Sequence, residues 1–150
     1  GTLVSKKNVY TYSYIAPEDI KTKAKTFKNS EYVKSALISG IQWDVIMATV
    51  NGKLDGDGKE YIVTEFGGVG RTWEEHLKTG QIPADKVYNI YDLEGNVREF
   101  VAEKTVWEGE VMNVARGRPA NDYWTPACAR WCDDGSAWVG TAFRLVLYVL

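Results

Sequence analysis

The stretch YDLEGNVREF, residues 91–100, sets a glycine-asparagine pair, Gly95-Asn96, between two runs that alternate apolar and polar residues. Glycine and asparagine accept positive backbone φ at little cost, so the pair marks a tight turn between two β-strands. Asp92 and Glu99 stand on either side of that turn, with backbone carbonyls between them. Two hard carboxylates so placed can hold a cation, and they serve equally well as acceptors for nearby backbone N–H groups.

Working outward, VYNIYDL (87–93), VREFVAE (97–103) and EVMNVAR (110–116) are short strand-like pieces with turns between them. FRLVLYVL (143–150) is an unbroken apolar run, which predicts a central buried strand pairing near the N-terminal strand. At the other end, Tyr10, Tyr12 and Tyr14 alternate with Val9, Thr11 and Ser13, a period of two that predicts an early half-buried strand. Pro17 followed by Glu18 and Asp19 opens a helix in which Ile20, Ala24 and Phe27 share a face. A second helix is expected from Ser39, apolar around most of its girth and buried, ending at Asn51-Gly52. Helices and strands are segregated along the chain without βαβ alternation. This predicts an α+β fold over residues 1–150 as one domain, with two helices packed on a small antiparallel sheet and long irregular loops.

Composition narrows the function classes. Hydrophobic residues make up 45% and aromatics 13% of 150 residues, enough for a continuous core. The net charge of −2 comes with scattered lysines and arginines, so no surface is expected to track nucleic acid. No run approaches the roughly 20 apolar residues of a membrane-spanning helix, so no membrane insertion is expected, and GTLVSKKNVY has no signal-peptide core.

Several motifs reduce to turns. DGDG at Asp55–Gly58 would need a bidentate Glu where Phe66 stands to be a calcium loop, and GGVG at Gly67–Gly70 lacks the G-K-[ST] ending of a phosphate loop. A short strand is expected around Glu60 to Thr64, and Thr72-Trp73-Glu74-Glu75 matches a helix capping box. His76, the one histidine, falls in that helix with no nucleophile or carboxylate placed beside it by sequence, and reads as a solvated or locally bonded residue. Cys128 and Cys132 provide neither a disulfide framework nor a four-ligand zinc site.

Taken together, SGIQWDVIM (39–47), NIYDLEGNVREF (89–100) and GTAFRLVLYV (140–149) resemble the signatures of the formylglycine-generating-enzyme-like branch of the C-type lectin fold, in order from Ser39 to Leu150. The resemblance implies a C-type lectin fold. It also implies a structural Ca2+ held by the side chains of Asp92 and Glu99 and the carbonyls of Gly95 and Val97. The enzymes of that family hold copper with two cysteines separated by four residues, whereas Cys128 and Cys132 are separated by three. An oxidase of the formylglycine-generating type using these two thiols is the alternative function, although non-enzymatic binding is the expectation. A carbohydrate-binding lectin is a further alternative, disfavoured because the calcium-dependent sugar motifs EPN, QPD and WND are missing.

Residues 116–144, RGRPANDYWTPACARWCDDGSAWVGTAFR, depart from that family's pattern in an informative way. Arg116-Gly117, Pro126-Ala127, Arg130 and Phe143-Arg144 keep a frame, while the positions between carry Asn, Asp, Tyr, Trp, Cys, Gly, Ser and Thr. This resembles the variable proteins of diversity-generating retroelements, in which randomised AAY codons yield most of these residues, though not tryptophan. Tyr and Trp supply contact area with few rotatable bonds, and small polar residues supply adaptable hydrogen bonds, as in antibody loops. The expected function is receptor recognition through a hypervariable surface formed by Asn121, Asp122, Tyr123, Trp124, Trp131, Asp133, Asp134, Ser136 and Trp138. The resemblance implies a protein ligand on a cell, virion or host surface, with this chain displayed on a virion or cell surface in a larger assembly. One of the tryptophans, Trp138, is expected to fill the core instead.

Overall fold

A computed structural model describes residues 3, 6–54, 77–81, 86–93, 95–119, 125, 128–138 and 140–150. The expected strand at Glu60–Thr64, the DGDG and GGVG turns, the Thr72 capping box, His76, and the recognition residues Asn121, Asp122, Tyr123 and Trp124 lie outside the described residues.

Helix α1, Pro17–Phe27, begins as its sequence dictates, with proline in the first turn beside Glu18 and Asp19 and with Lys25 in the last turn. Its far end is closed from outside. The buried Ser35 hydroxyl donates to the carbonyl of Ala24 (2.5 Å) and accepts from the backbone N–H of Lys28 (2.9 Å), satisfying groups that the helix leaves over. Ser35 lies on β1, Val33–Leu37, so one hydroxyl ties helix to strand.

Helix α2, Gly40–Leu54, is opened by a reciprocal capping box. The Gln42 N–H donates to Ser39 Oγ (3.2 Å), and the Ser39 N–H donates to Gln42 Oε1 (2.9 Å). The helix runs through Asn51-Gly52 rather than stopping there, since a lone Asn-Gly costs a helix only about 1 kcal/mol. Nor is its whole girth buried. Trp43, Met47 and Val50 face inward, while Ile41 and Val45 are exposed.

Two hairpins follow. β2 (Lys86–Val87) and β3 (Ile90–Tyr91) are joined by Tyr88-Asn89, both with positive φ. β4 (Arg98–Trp107) and β5 (Glu110–Arg116) are joined by Glu108-Gly109, with φ of 51° and 85°, the backbone that a two-residue turn between twisted strands requires. β6 (Arg130–Asp133) and β7 (Thr141–Phe143) complete a four-stranded sheet in the order β6-β5-β4-β7. The sheet is mixed rather than wholly antiparallel, because β7 runs parallel to β4.

Residues adjacent in these strands serve opposite faces. Phe100 and Ala115 pack with Ile20 and Ala24 of α1, and Val101 and Val114 pack with Trp43, Met47 and Val50 of α2. The helices therefore cover opposite sides of the same strands, and the period of two is what divides the two clusters.

Two expected strands are corrected. FRLVLYVL is not one central buried strand. It breaks at Arg144 into β7 and β8 (Leu145–Val149), and β8 pairs only with β1, leaving Leu147 56% and Val149 85% exposed. The break has a cause: the Arg144 side chain turns inward to an acid, as described below. The alternating tyrosines near the N-terminus form no strand either. Asn8 and Tyr14 take positive φ, a single bridge joins Tyr10 to Lys78, and the three tyrosines are exposed.

Candidate ligand-binding face

Trp43 is the buried point against which the start of the segment 116–144 is packed. It is fully buried, and Gly117 lies against it with φ of +83°, where an added Cβ would sit 3.5 Å from the indole ring. The Arg144 guanidinium lies 6.0 Å from the ring centre on another side. Beside it, the fully buried Arg116 pairs with Asp44, which also takes a hydrogen bond from Arg130 Nη2 (2.7 Å). Arg130 Nε reaches Glu103 Oε1 at 3.2 Å. Glu103 can stand there because residue 40 is glycine, where a Cβ would fall 1.3 Å from Glu103 Oε2. Two arginines thus meet two carboxylates at the start of α2, and strands β5 and β6 are locked to that helix.

The turn at 92–99 is held in a different way from the calcium site that the resemblance implies. Glu99 is buried, and both its oxygens are taken by Arg144, with Nη2 at 2.6 Å from Oε1 and Nε at 2.8 Å from Oε2. Arg144 Nη2 also donates to the carbonyls of Tyr91 (3.0 Å) and Asp92 (3.2 Å). The Asp92 carboxylate accepts from the Gly80 N–H (3.0 Å) and from Asn96 Nδ2 (3.4 Å). Asn96 in turn bonds both backbone groups of Leu77, its Oδ1 accepting from the N–H and its Nδ2 donating to the carbonyl. The structure brings Asp92, Gly95, Val97 and Glu99 into one buried turn, in which the Arg144 guanidinium bridges both oxygens of Glu99 and answers its charge.

Burial pushes the Asp92 carboxyl above the ordinary aspartate value of 3.8, against the pull of its hydrogen bonds to Gly80 and Asn96. Asp134, in contrast, is exposed and is held below 3.8 by hydrogen bonds from the backbone and hydroxyl of Ser136. A carbon-13 titration of side-chain carboxyls is expected to find Asp92 above and Asp134 below that value. The linkage signs are opposite. Asp92's contribution to stability is present below its unfolded pKa and lost as pH rises through the folded one, whereas Asp134's is present above its unfolded pKa and lost as pH falls through the folded one. Titration of both residues on the same side of 3.8 would refute this placement.

Within residues 128–138 the side chains divide into two kinds. Trp131 donates from Nε1 to the Gly117 carbonyl (3.0 Å), and the Arg98 guanidinium lies 4.9 Å from the ring centres of both Trp131 and Trp138. One cation is thus shared by the two indoles. Trp138 also closes over Gly140, where a Cβ would come 2.7 Å from the ring. Both tryptophans are thus half-buried and held by the frame. The loop after β6 is polar and self-bonded. The Gly135 N–H donates to Asp133 Oδ1 and the Ser136 N–H to Asp134 Oδ1, each at 2.8 Å. Gly135, with φ of +87°, fits against Asn113, where a Cβ would lie 2.5 Å from Nδ2.

Asp134 and Ser136 are exposed, Asp133 is half-buried, and Cys132 projects outward from β6 although sequence patterning singled it out only as a thiol. Cys128 is half-buried against the cluster around Trp43. Arg98 was not foreseen at the site. Its signal was available, since a strand position between Val97 and Glu99 points to the opposite face from those two buried residues.

Neither a scan of known protein families nor a search of curated proteins returns a match. Among solved structures, the crystal structure of CarF superposes with a TM-score of 0.57 and 21% sequence identity. In fold, the chain is similar to CarF. The match covers 87% of this chain and 54% of CarF, so the chain spans about half the length of that protein. At that identity the likeness is one of architecture, an α+β arrangement of two helices and small sheets.

Proposed function

We propose that this chain is a recognition domain of C-type lectin fold that displays a variable binding face on a fixed frame. The motifs that carry the lectin-fold resemblance support it by their convergence: Trp43 and Asp44, Glu99, Arg116-Gly117 and Arg144 interlock around one buried indole. The observation that carries the binding reading is the division within 128–138. Arg130, Trp131 and Trp138 are engaged by Glu103, Asp44, Gly117 and Arg98, while Cys132, Asp134 and Ser136 are exposed, with Asp134 accepting the N–H of Ser136 two residues on. Such a surface can change its side chains at the cost of that one local turn bond. The ligand class this fits is a protein on a cell, virion or host surface.

The test is a comparison of two sets of variants. Joint randomisation of Cys132, Asp134 and Ser136 is expected to leave thermal stability within about 1 kcal/mol of the parent in most clones. Trp131→Ala is expected to cost about 3 kcal/mol. Displayed libraries randomised at the three outward positions should then yield binders to protein targets. Randomised clones that unfold as readily as Trp131→Ala would sink the reading. So would a neighbouring genome that holds no near-copy of the codons for 116–144 differing at adenines, as far as the retroelement origin is concerned.

A further inference from the structure

Away from residues 128–138, the chain forms an open-mouthed cavity of about 900 Å3 that the proposed function does not use. It lies between the N-terminal residues 9–12, the end of α1 at Phe27 and Lys28, the 89–91 turn and the first residues of β8. Its walls are apolar at Ile38, Ile46, Ile90, Val97, Leu145 and Val146. Its rim is aromatic and basic, formed by Tyr10, Tyr12 and Tyr91 together with Lys6 and Lys28. Each rim tyrosine has lysine against its ring: Lys78 at 5.6 Å from Tyr10, Lys23 at 5.9 Å from Tyr12, and Lys7 and Lys86 at 5.5 and 5.8 Å from Tyr91. Thr11 also lines the space, and its hydroxyl is buried with no hydrogen-bond partner among the described residues. Asp92 and Glu99 border it too, but Glu99 is matched by Arg144, and the Asp92 carboxylate is bonded to Gly80 and Asn96.

We infer that this cavity is a binding site for a small amphipathic organic anion with an aromatic body. Its volume falls in the range of small-molecule sites, roughly 300–1,000 Å3. The apolar walls take the body, the rim tyrosines stack on a planar ring, and the lysines at the mouth draw in and retain a negative head group. The Thr11 hydroxyl gives a buried polar contact that fixes orientation. The site is separate from the recognition loop, so the two proposals stand or fall independently.

Isothermal titration with naphthalene-2-carboxylate is the direct test, with 2-naphthalenemethanol as the neutral analogue. The carboxylate is expected to saturate with a dissociation constant on the order of 100 µM, and the alcohol to bind about tenfold more weakly. The pair Lys6→Glu with Lys28→Glu should erase that tenfold preference, and Tyr12→Ala, on an exposed rim residue, should weaken both ligands. Ile46→Trp fills the space and should abolish binding. If that variant fails to fold, the charge-reversed and Tyr12 variants decide the matter. Substituting Asp134 and Ser136 should change nothing here. The inference is overturned by an absence of saturable heat for the intact protein, by equal affinity for acid and alcohol, or by unchanged binding in folded Tyr12→Ala.

Discussion

Replacing Arg144 with leucine is expected to lower stability by about 3–5 kcal/mol, a drop in thermal midpoint on the order of 10 °C for a chain of this length. The reason lies in what remains behind. Glu99 is buried, and both its oxygens rely on that guanidinium, as do the carbonyls of Tyr91 and Asp92. Water cannot take over, so the variant must bury an unpaired carboxylate or protonate it. Burial already pushes Glu99 upward while Arg144 opposes the shift. Without Arg144 the upward shift is larger, and a group with a raised folded pKa loses its contribution as pH rises through that value. The deficit of Arg144→Leu should therefore shrink between pH 7 and pH 5. Adding Glu99→Leu should recover most of the loss, since removing both partners is far milder than removing one. Calcium separates this account from its rival. Millimolar Ca2+ or a chelator should leave the parent's thermal midpoint where it is. A midpoint that rises with Ca2+ and falls with chelator would place the ion, and not Arg144, in command of the turn.

The second large effect is expected at Trp43. Trp43→Ala should cost about 3–5 kcal/mol, measured by denaturant unfolding with an unchanged slope. The indole lies against Gly117, at the start of the segment 116–144, and belongs to the buried cluster with Ile38, Met47, Val50, Leu93, Val101 and Val114. Trp107→Ala is the control, because that ring stands 58% exposed near the β4–β5 turn. It should change stability by less than about 0.5 kcal/mol. Near-equal losses at the two tryptophans would mean that the core is not centred where Trp43 places it.

Local chemistry was the legible part of this chain. Pro17 with Glu18 and Asp19 starts α1 as it would in any context, and Glu108-Gly109 turns β4 into β5. The capping box of Ser39 and Gln42 was equally open to reading, being a serine followed three residues later by glutamine. Less legible were elements whose fate depends on a distant partner. The alternating tyrosines near the N-terminus have the pattern of a strand, but among the described residues they form one bridge, from Tyr10 to Lys78, and no ladder. FRLVLYVL has the pattern of a buried strand, but Arg144 leaves the ladder to reach Glu99, so the run is divided between two sheets.

Residues 116–144 show the same boundary. The motifs at Trp43, Glu99, Arg116 and Arg144 can be listed from sequence alone, because residue type and spacing reflect backbone and side-chain chemistry that acts over a few residues. Which tryptophans face outward cannot be so listed. Trp131 and Trp138 both lie against Arg98, more than thirty residues earlier in the chain, and a cation shared by two rings exists only once the chain has folded. Likewise, two carboxylates across a turn look alike whether a metal ion or an arginine answers their charge. Only the folding of β7 and β8 around Arg144 brings a fixed positive charge to the buried acid Glu99, which without it would have to stay unpaired or take up a proton.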